Sequence, residues 1–491
     1  MKLSNMNHIK SVAAILGVLA TFSCSKSFLD VPPQGQQKAE AFWQSEADAT
    51  KAVNSMYGNL RSWTQVAFAP IAIESLGSDD AEKGSNPTDA TFMNKFDNFT
   101  ASSTEGQIQD FWNGEYAQIN LTNQVLDNVP GITMDENLKA RYLAEAKFLR
   151  AYAYFRLVRA FGDVPLRLHV PVNASEYNIP RTPKEQVWAA IEQDLTDAAS
   201  VLPQSYGAND VGRATKGAAL GLHAKVAMYL KKWDDVLSYT NQVMTMGYQL
   251  FPDFEQLFRI PNENNVESIF EIQCTYVPGN CDFSNSQYSQ VQGVRASYGG
   301  GWGFNVPTQD LVDAFEAGDP RKDATIIFRG ETTPEGDAIP PTGDNPMYNQ
   351  KSYVPFGDYG GECSEGSEQN VRVMRFAEIL LMNAEAANET GNSTLALSSL
   401  NAVRARARGG NNAILPDVTV TDKDQLRDAI WKERRVELAM EFDRFFDLVR
   451  QGRGPSVLGS KGFVAGKNEV WPIPQNEIDL SAGVLTQNPG Y

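Results

Sequence analysis

Apolar residues recur every three to four positions from about residue 40 onward. This spacing predicts helices over 40–60, 107–128, 136–161, 183–202, 213–231, 233–246, 370–390, 394–408 and 422–451. Two long stretches break the pattern. Residues 62–105 and 252–365 are rich in Gly, Pro, Asn, Ser and aromatic side chains, with short runs such as Ser268-Ile269-Phe270-Glu271-Ile272 that read as strands. Loops carried on a rigid scaffold concentrate binding residues, so these two insertions are where function is expected. The predicted class is mainly α, with loop-rich insertions and a few short strands.

The helical part repeats itself. Thr122-Asn123-Gln124-Val125 returns as Thr240-Asn241-Gln242-Val243. A gapless self-match at an offset of 160 residues aligns Leu220, Ala224 and Ala227 with Leu380, Ala384 and Ala387. The same register then aligns Leu237, Asn241 and Val243 with Leu397, Asn401 and Val403. Each unit reads helix, short turn (Lys231-Lys232-Trp233 or Thr390-Gly391-Asn392), helix. Small residues where two helices cross, with larger ones on the facing stripe, are tetratricopeptide logic. Such hairpins cannot bury their apolar faces alone, so they are expected to stack into a superhelix. The length therefore reads as one array with insertions rather than two or three unrelated domains.

Charge and rare residues narrow the function. Asp plus Glu number 60 against 43 Lys plus Arg in 491 residues, a net charge of −17. A surface that acidic repels phosphate backbones and argues against a nucleic-acid partner. Three histidines and four cysteines argue against a histidine-based metal enzyme, a zinc-ribbon array or a disulfide-stapled scaffold. His169 and His223 have no ligand partner near them in sequence and read as structural. There is no GxSxG, HExxH, P-loop, Rossmann glycine pattern or EF-hand loop. A two-carboxylate glycosidase carries no local signature and is the one enzyme class that motifs leave open. Binding without catalysis, cofactor or metal is the expectation.

The chain opens with Lys2 and Lys10 and an apolar run from Val12 to Leu19, extended to Phe22. A spanning helix needs about 20 apolar residues, so the run reads as a secretory h-region. It ends at Ser23-Cys24, as a bacterial lipoprotein signal does, with cleavage before Cys24 and acylation of that cysteine. A simple secretory signal with an incidental cysteine is the other reading. Residues 1–23 are thus assigned as signal peptide, and 24–40, with Pro32, Pro33 and Gly35, as a tether.

Several segments together resemble the SusD/RagB family of outer-membrane nutrient-binding lipoproteins. They begin with Phe28-Leu29-Asp30-Val31-Pro32-Pro33 after the cysteine, then Phe42-Trp43 followed by Ala49 through Tyr57. Ala144-Glu145-Ala146-Lys147-Phe148-Leu149-Arg150-Ala151-Tyr152, running on to Phe161-Gly162-Asp163-Val164-Pro165-Leu166, is similar to a family signature. So are Glu433 through Glu441 with Arg444 through Arg450, and the ending Trp471-Pro472-Ile473-Pro474 with Gln487-Asn488-Pro489-Gly490-Tyr491. The motifs cover both halves in the family's order. The resemblance divides the chain into an N-terminal SusD-like helical region, 41–250, and a C-terminal SusD/RagB region, 251–491, with its ligand face in 252–365. It implies a surface-exposed, lipid-anchored, outer-membrane protein without catalysis. Its implied role is to bind an oligosaccharide and deliver it to a SusC-like TonB-dependent transporter. A peptide ligand, as in the RagB branch, and a protein-binding scaffold without a small ligand stand as alternatives.

Sugar recognition needs flat aromatic faces, with planar amides, carboxylates and Arg for the hydroxyls. The best candidate is Trp302 in Tyr298-Gly299-Gly300-Gly301-Trp302-Gly303-Phe304-Asn305, where four glycines leave the indole uncovered. Trp63 follows, then Tyr298, Tyr276 and Tyr288 in the loop-rich half, with Asp80, Asn305 and Arg295 as polar candidates. Trp112, Trp188, Trp233 and Trp431 sit at helical spacing and read as packing residues, and Trp471 as packing for the C-terminal tail. Glu433, Glu437 and Glu441, flanked by Arg434, Arg435 and Arg444, read as ion pairs along one helix, with Leu438, Phe442, Phe445 and Val449 as its buried stripe. Cys274 and Cys281 flank the turn Val277-Pro278-Gly279-Asn280. Their spacing admits a disulfide and equally two free thiols, with Cys363 left over.

Overall fold

The computed structural model describes residues 42–275, 286–295, 301–358 and 366–491. The signal and tether with Cys24, and also Tyr276, Cys281, Tyr298 and Cys363, lie outside the described residues.

Side chains set the helix ends. Ser45 opens α1 (Glu46–Asn59) with a reciprocal capping box to Asp48. After the short α2 (Trp63–Val66) come α3 (Gly106–Asn128) and α4 (Glu136–Phe161), the latter capped by Asp135. Then follow α5 (Lys184–Val201), α6 (Lys216–Tyr229, capped by Thr215) and α7 (Trp233–Met244). The second half adds α8 (Phe376–Glu389), α9 (Ser393–Ala407, capped by Asn392), α10 (Lys423–Glu437, capped by Asp422) and α11 (Arg444–Arg450). An oxygen cap satisfies amides that a first turn leaves without partners, at about 1 kcal/mol each. The helices pack in chain order, α3 on α4, α4 on α5, α5 on α6, α6 on α7, α7 on α8, and α8 on both α9 and α10. One apolar core runs through the whole stack.

The offset of 160 is written into the backbone. Helices α6 and α8 start at 216 and 376 and end at 229 and 389, while α7 and α9 start at 233 and 393. Between them Lys231 and Gly391 both take positive φ, 56° and 84°. The Lys232 and Asn392 amides reach back to Ala227 and Ala387 at 2.9 and 2.7 Å. The same left-handed cap closes both units, with glycine in one and a strained lysine in the other.

Among the described residues six short strands form three two-stranded antiparallel sheets: β1 (Ala81–Gly84) with β3 (Phe304–Pro307), β2 (Ser268–Ile272) with β6 (Val371–Arg375), and β4 (Ile326–Phe328) with β5 (Met347–Asn349). The first matters for function. Its register, Ala81 to Pro307 and Gly84 to Phe304, ties insertion 62–105 to insertion 252–365.

Three sequence expectations are corrected. The predicted helix 370–390 begins as strand β6 and turns helical only at Phe376. The predicted helix 422–451 breaks after Glu437, because Met440 and Phe442 adopt positive φ of 64° and 67°, and resumes at Arg444. Glu441 is therefore off the face shared by Glu433 and Glu437. Nor do these acids pair along their own helix. Arg321 and Arg404 reach Glu433 at 2.6 and 2.8 Å, Arg375 reaches Glu437 at 2.9 Å, and Lys351 reaches Glu441 at 2.7 Å. The flanking arginines turn elsewhere, Arg434 to Asp447, Arg435 to Asp80 and Arg444 to Asp79. Burial opposes the charge of Glu437, yet Arg406, Arg375 and Arg321 together hold its carboxyl far below the usual range.

Candidate functional site

Where β1 meets β3, aromatic rings from the two insertions converge. Phe304 on β3 is 2% exposed and forms the base. Phe68 stands edge-on to it, with ring centroids 4.8 Å apart and planes at 80°. On Phe68 lie Trp63 at 5.4 Å, Trp302 at 6.0 Å and Phe92 at 6.3 Å. Trp63 and Trp302 touch each other at 6.0 Å with planes tilted by 53°. Exposure grows outward: Phe68 and Trp302 are half-buried, while Trp63 and Phe92 are each 36% exposed. Large aromatic faces left open to water mark a binding surface.

The backbone fixes Trp302 in place. Its amide donates to the Gln290 carbonyl at 2.8 Å, and the Gly303 amide donates to the Gly293 carbonyl at 2.9 Å. Gly303 holds φ of 72°, and a Cβ there would stand 2.6 Å from the Asn345 amide nitrogen. That nitrogen donates to the Gly303 carbonyl at 2.9 Å, and the Ser85 amide donates to the same oxygen at 2.5 Å. A side chain at 303 would break this junction, so the ring is presented by a backbone only glycine allows.

A polar rim adjoins the rings. Arg295 pairs with Asp89 at 2.6 Å, each side chain 39% exposed, and also donates to the Ser85 hydroxyl and, at 3.4 Å, to the Trp302 carbonyl. The Ser85 hydroxyl donates to the same Asp89 oxygen at 2.9 Å. The Arg295 hydrogen bond is the largest influence holding the Asp89 carboxyl below its ordinary pKa. Lys83, under the rim, donates to the carbonyls of Asn86 and Asp89 at 2.8 Å each and is itself buried.

Of the residues predicted from sequence, the structure brings Trp302, Trp63 and Arg295 together. Three candidates are corrected by their placement. Asn305 is fully buried, its amide nitrogen donating to Gln292 at 2.8 Å and its oxygen accepting from Ser75 at 2.7 Å. Asp80 is 2% exposed and pairs with Arg435 at 2.7 Å. Tyr288 is 7% exposed and packs on Phe442. Each has the right chemistry, but the interior takes it up. Tyr276 and Tyr298 lie outside the described residues, as does Cys281, and Cys274 is a free thiol among those described. Phe68, Phe92 and Asp89 were missed. The only sequence signal for them is that aromatics cluster in the same insertion as Trp63.

Among the described residues no group of three or more His, Cys, Asp or Glu side chains could hold a metal ion. His223 is buried and stacked on Tyr239 at 4.1 Å, and burial lowers its pKa to about 4. No described helix is long and apolar enough to cross a membrane.

Comparison with known proteins now decides the family. The profile of the SusD family matches residues 255–491, and a second profile, described as starch-binding associating with outer membrane, matches 27–230. A solved laminarin binding SusD-like protein is 32% identical, with a TM-score of 0.81 over 91% of this chain and all of that one. This chain belongs to the SusD family. SusD-like protein P2 of Formosa agariphila is 28% identical over 516 residues, covering 98% of this chain and 99% of that protein. The solved surface glycan-binding protein A from Bacteroides fluxus is 25% identical, with a TM-score of 0.77 over 91% of this chain and all of that one. In this SusD-family chain the aromatic platform straddles the two profiles: Trp63, Phe68 and Phe92 come from the first, Trp302 and Phe304 from the second.

Proposed function

We propose that this SusD-family protein is a non-catalytic glycan-binding lipoprotein whose platform of Trp63, Trp302, Phe68 and Phe92 captures a neutral glucan. The observation that carries the reading is the contact between two open indoles, one from each insertion and more than 200 residues apart in sequence. Their spacing suits neighbouring sugar rings, and their 53° tilt suits a curved chain better than a flat ribbon. The relative at 32% identity is named for laminarin, which makes a β-glucan the first ligand to test. Acylation at Cys24 anchors the chain to the outer membrane at the cell surface, and the bound glycan passes to a SusC-like TonB-dependent transporter. Family membership supports both steps.

Calorimetric titration with laminarin tests the site. Trp302→Ala is expected to lower affinity by about 2 kcal/mol or more, roughly 30-fold, as removal of a central aromatic anchor does. Equal affinity in the wild type and the variant would remove the platform from the site. Cys24→Ala is expected to shift the protein from the membrane fraction to the soluble fraction, and unchanged partitioning would refute the anchor.

A further inference from the structure

Lys83 and Arg295 lie on the rim beside the platform, and neither is free. The Lys83 ammonium is buried and satisfied by two carbonyls at 2.8 Å. Arg295 is open to solvent on one side, but Asp89 neutralises it at 2.6 Å, and the Ser85 hydroxyl binds both partners. The second Asp89 oxygen, Oδ1, makes no hydrogen bond to the described residues, and the side chain is 39% exposed. A sugar hydroxyl can donate to that oxygen. A sugar carboxylate in the same place would face a fixed negative charge and an arginine already engaged. The whole chain adds to this, with a net charge of −17.

Resting on the glycan-binding reading above, we propose that the Asp89–Arg295 pair is a charge filter that keeps acidic sugars off the platform. Asp89 is the specificity-determining residue. It accepts from neutral hydroxyls, repels uronates, and denies them the Arg295 guanidinium, which would otherwise bind them in bidentate fashion. Discrimination here comes from a repulsive group placed at the rim rather than from an added contact to the favoured ligand. Like charges juxtaposed at an interface lower affinity by at least tenfold.

The test compares laminarin with a linear oligouronate of similar length, titrated into the full-length protein. Wild type is expected to bind laminarin and to bind the uronate at least about tenfold more weakly. Asp89→Asn is expected to raise the uronate-to-laminarin affinity ratio by about tenfold. That gain should fade at high salt, where exposed charges are screened. It should vanish in the Asp89→Asn, Arg295→Ala double variant, and Asp89→Glu should restore the exclusion. A wild type that binds uronate as well as laminarin, or an Asp89→Asn ratio that does not rise in a protein with normal melting, overturns the filter. Trp302→Ala separates the two ideas. If it abolishes laminarin binding while the ratio ignores Asp89, only the filter falls. If laminarin binds neither wild type nor variants, the glycan reading falls with it.

Discussion

Trp302 and Trp471 are the same residue put to opposite uses. Trp471 is 1% exposed: its indole N–H donates to the Ile73 carbonyl at 3.0 Å, and its ring stacks on Phe99 at 12°. Its own amide donates to Ala160 at 2.8 Å, and its carbonyl accepts from Asn488 at 2.7 Å, which stitches the C-terminal tail onto α4. Trp302 is held by its backbone and by ring contacts with Phe68 and Trp63, and its ring stays half-exposed. A side chain with all its polar and apolar surface matched serves stability. One whose ring is only half covered keeps a face available, which is the basis of the proposed binding role.

The largest effect should come from the interior side of this pair. Trp471→Ala is expected to lower unfolding free energy by about 3–5 kcal/mol, as large aromatic truncations in cores do. Denaturant titration reads it. Trp302→Ala should shift the same titration by less than about 1 kcal/mol while removing glucan affinity, because its ring buries less surface. Equal shifts in the two variants would erase the distinction. Phe92→Ala, at the edge of the platform, is expected to weaken laminarin binding by only about 1 kcal/mol, the scale of a peripheral contact.

Asp97 joins the two regions. Its neighbour Phe96 packs on Trp471 at 5.4 Å, and its carboxylate accepts from the Lys83 amide on β1 at 3.0 Å. Burial raises its pKa to about 7. The folded state thus holds a proton that the unfolded chain releases at its ordinary, lower pKa. This group's contribution to stability is full at acid pH and is lost as pH rises through about 7. Asp97→Asn should flatten that slope between about pH 4 and 7, and an unaltered slope would assign it to other groups. The smallest effect belongs to the repeat. Lys231→Gly relaxes a left-handed lysine and should change stability by at most about 1 kcal/mol in the stabilising direction, whereas Gly391→Ala should destabilise by about that much.

The scaffold was legible because its rules are local. Three- and four-residue periodicity located every long helix among the described residues, and the offset of 160 foretold two hairpins whose boundaries coincide. The break at Met440 and Phe442 was not legible, since bulky residues at positive φ leave no glycine to announce them. The site was half legible. A lone tryptophan among glycines pointed to Trp302, but nothing in the sequence states that β1 pairs with β3. For the same reason Asn305 and Asp80 looked available: their partners Gln292, Ser75 and Arg435 are supplied by the fold.

That pairing of β1 with β3 has a temporal meaning. Trp63 leaves the ribosome long before Trp302, and the two indoles meet only when strands more than 200 residues apart have zipped together. Non-local contacts of this kind form late, after the local hairpins. A chain truncated anywhere before β3 carries Trp63, Phe68 and Phe92 without Trp302 and Phe304, half a platform.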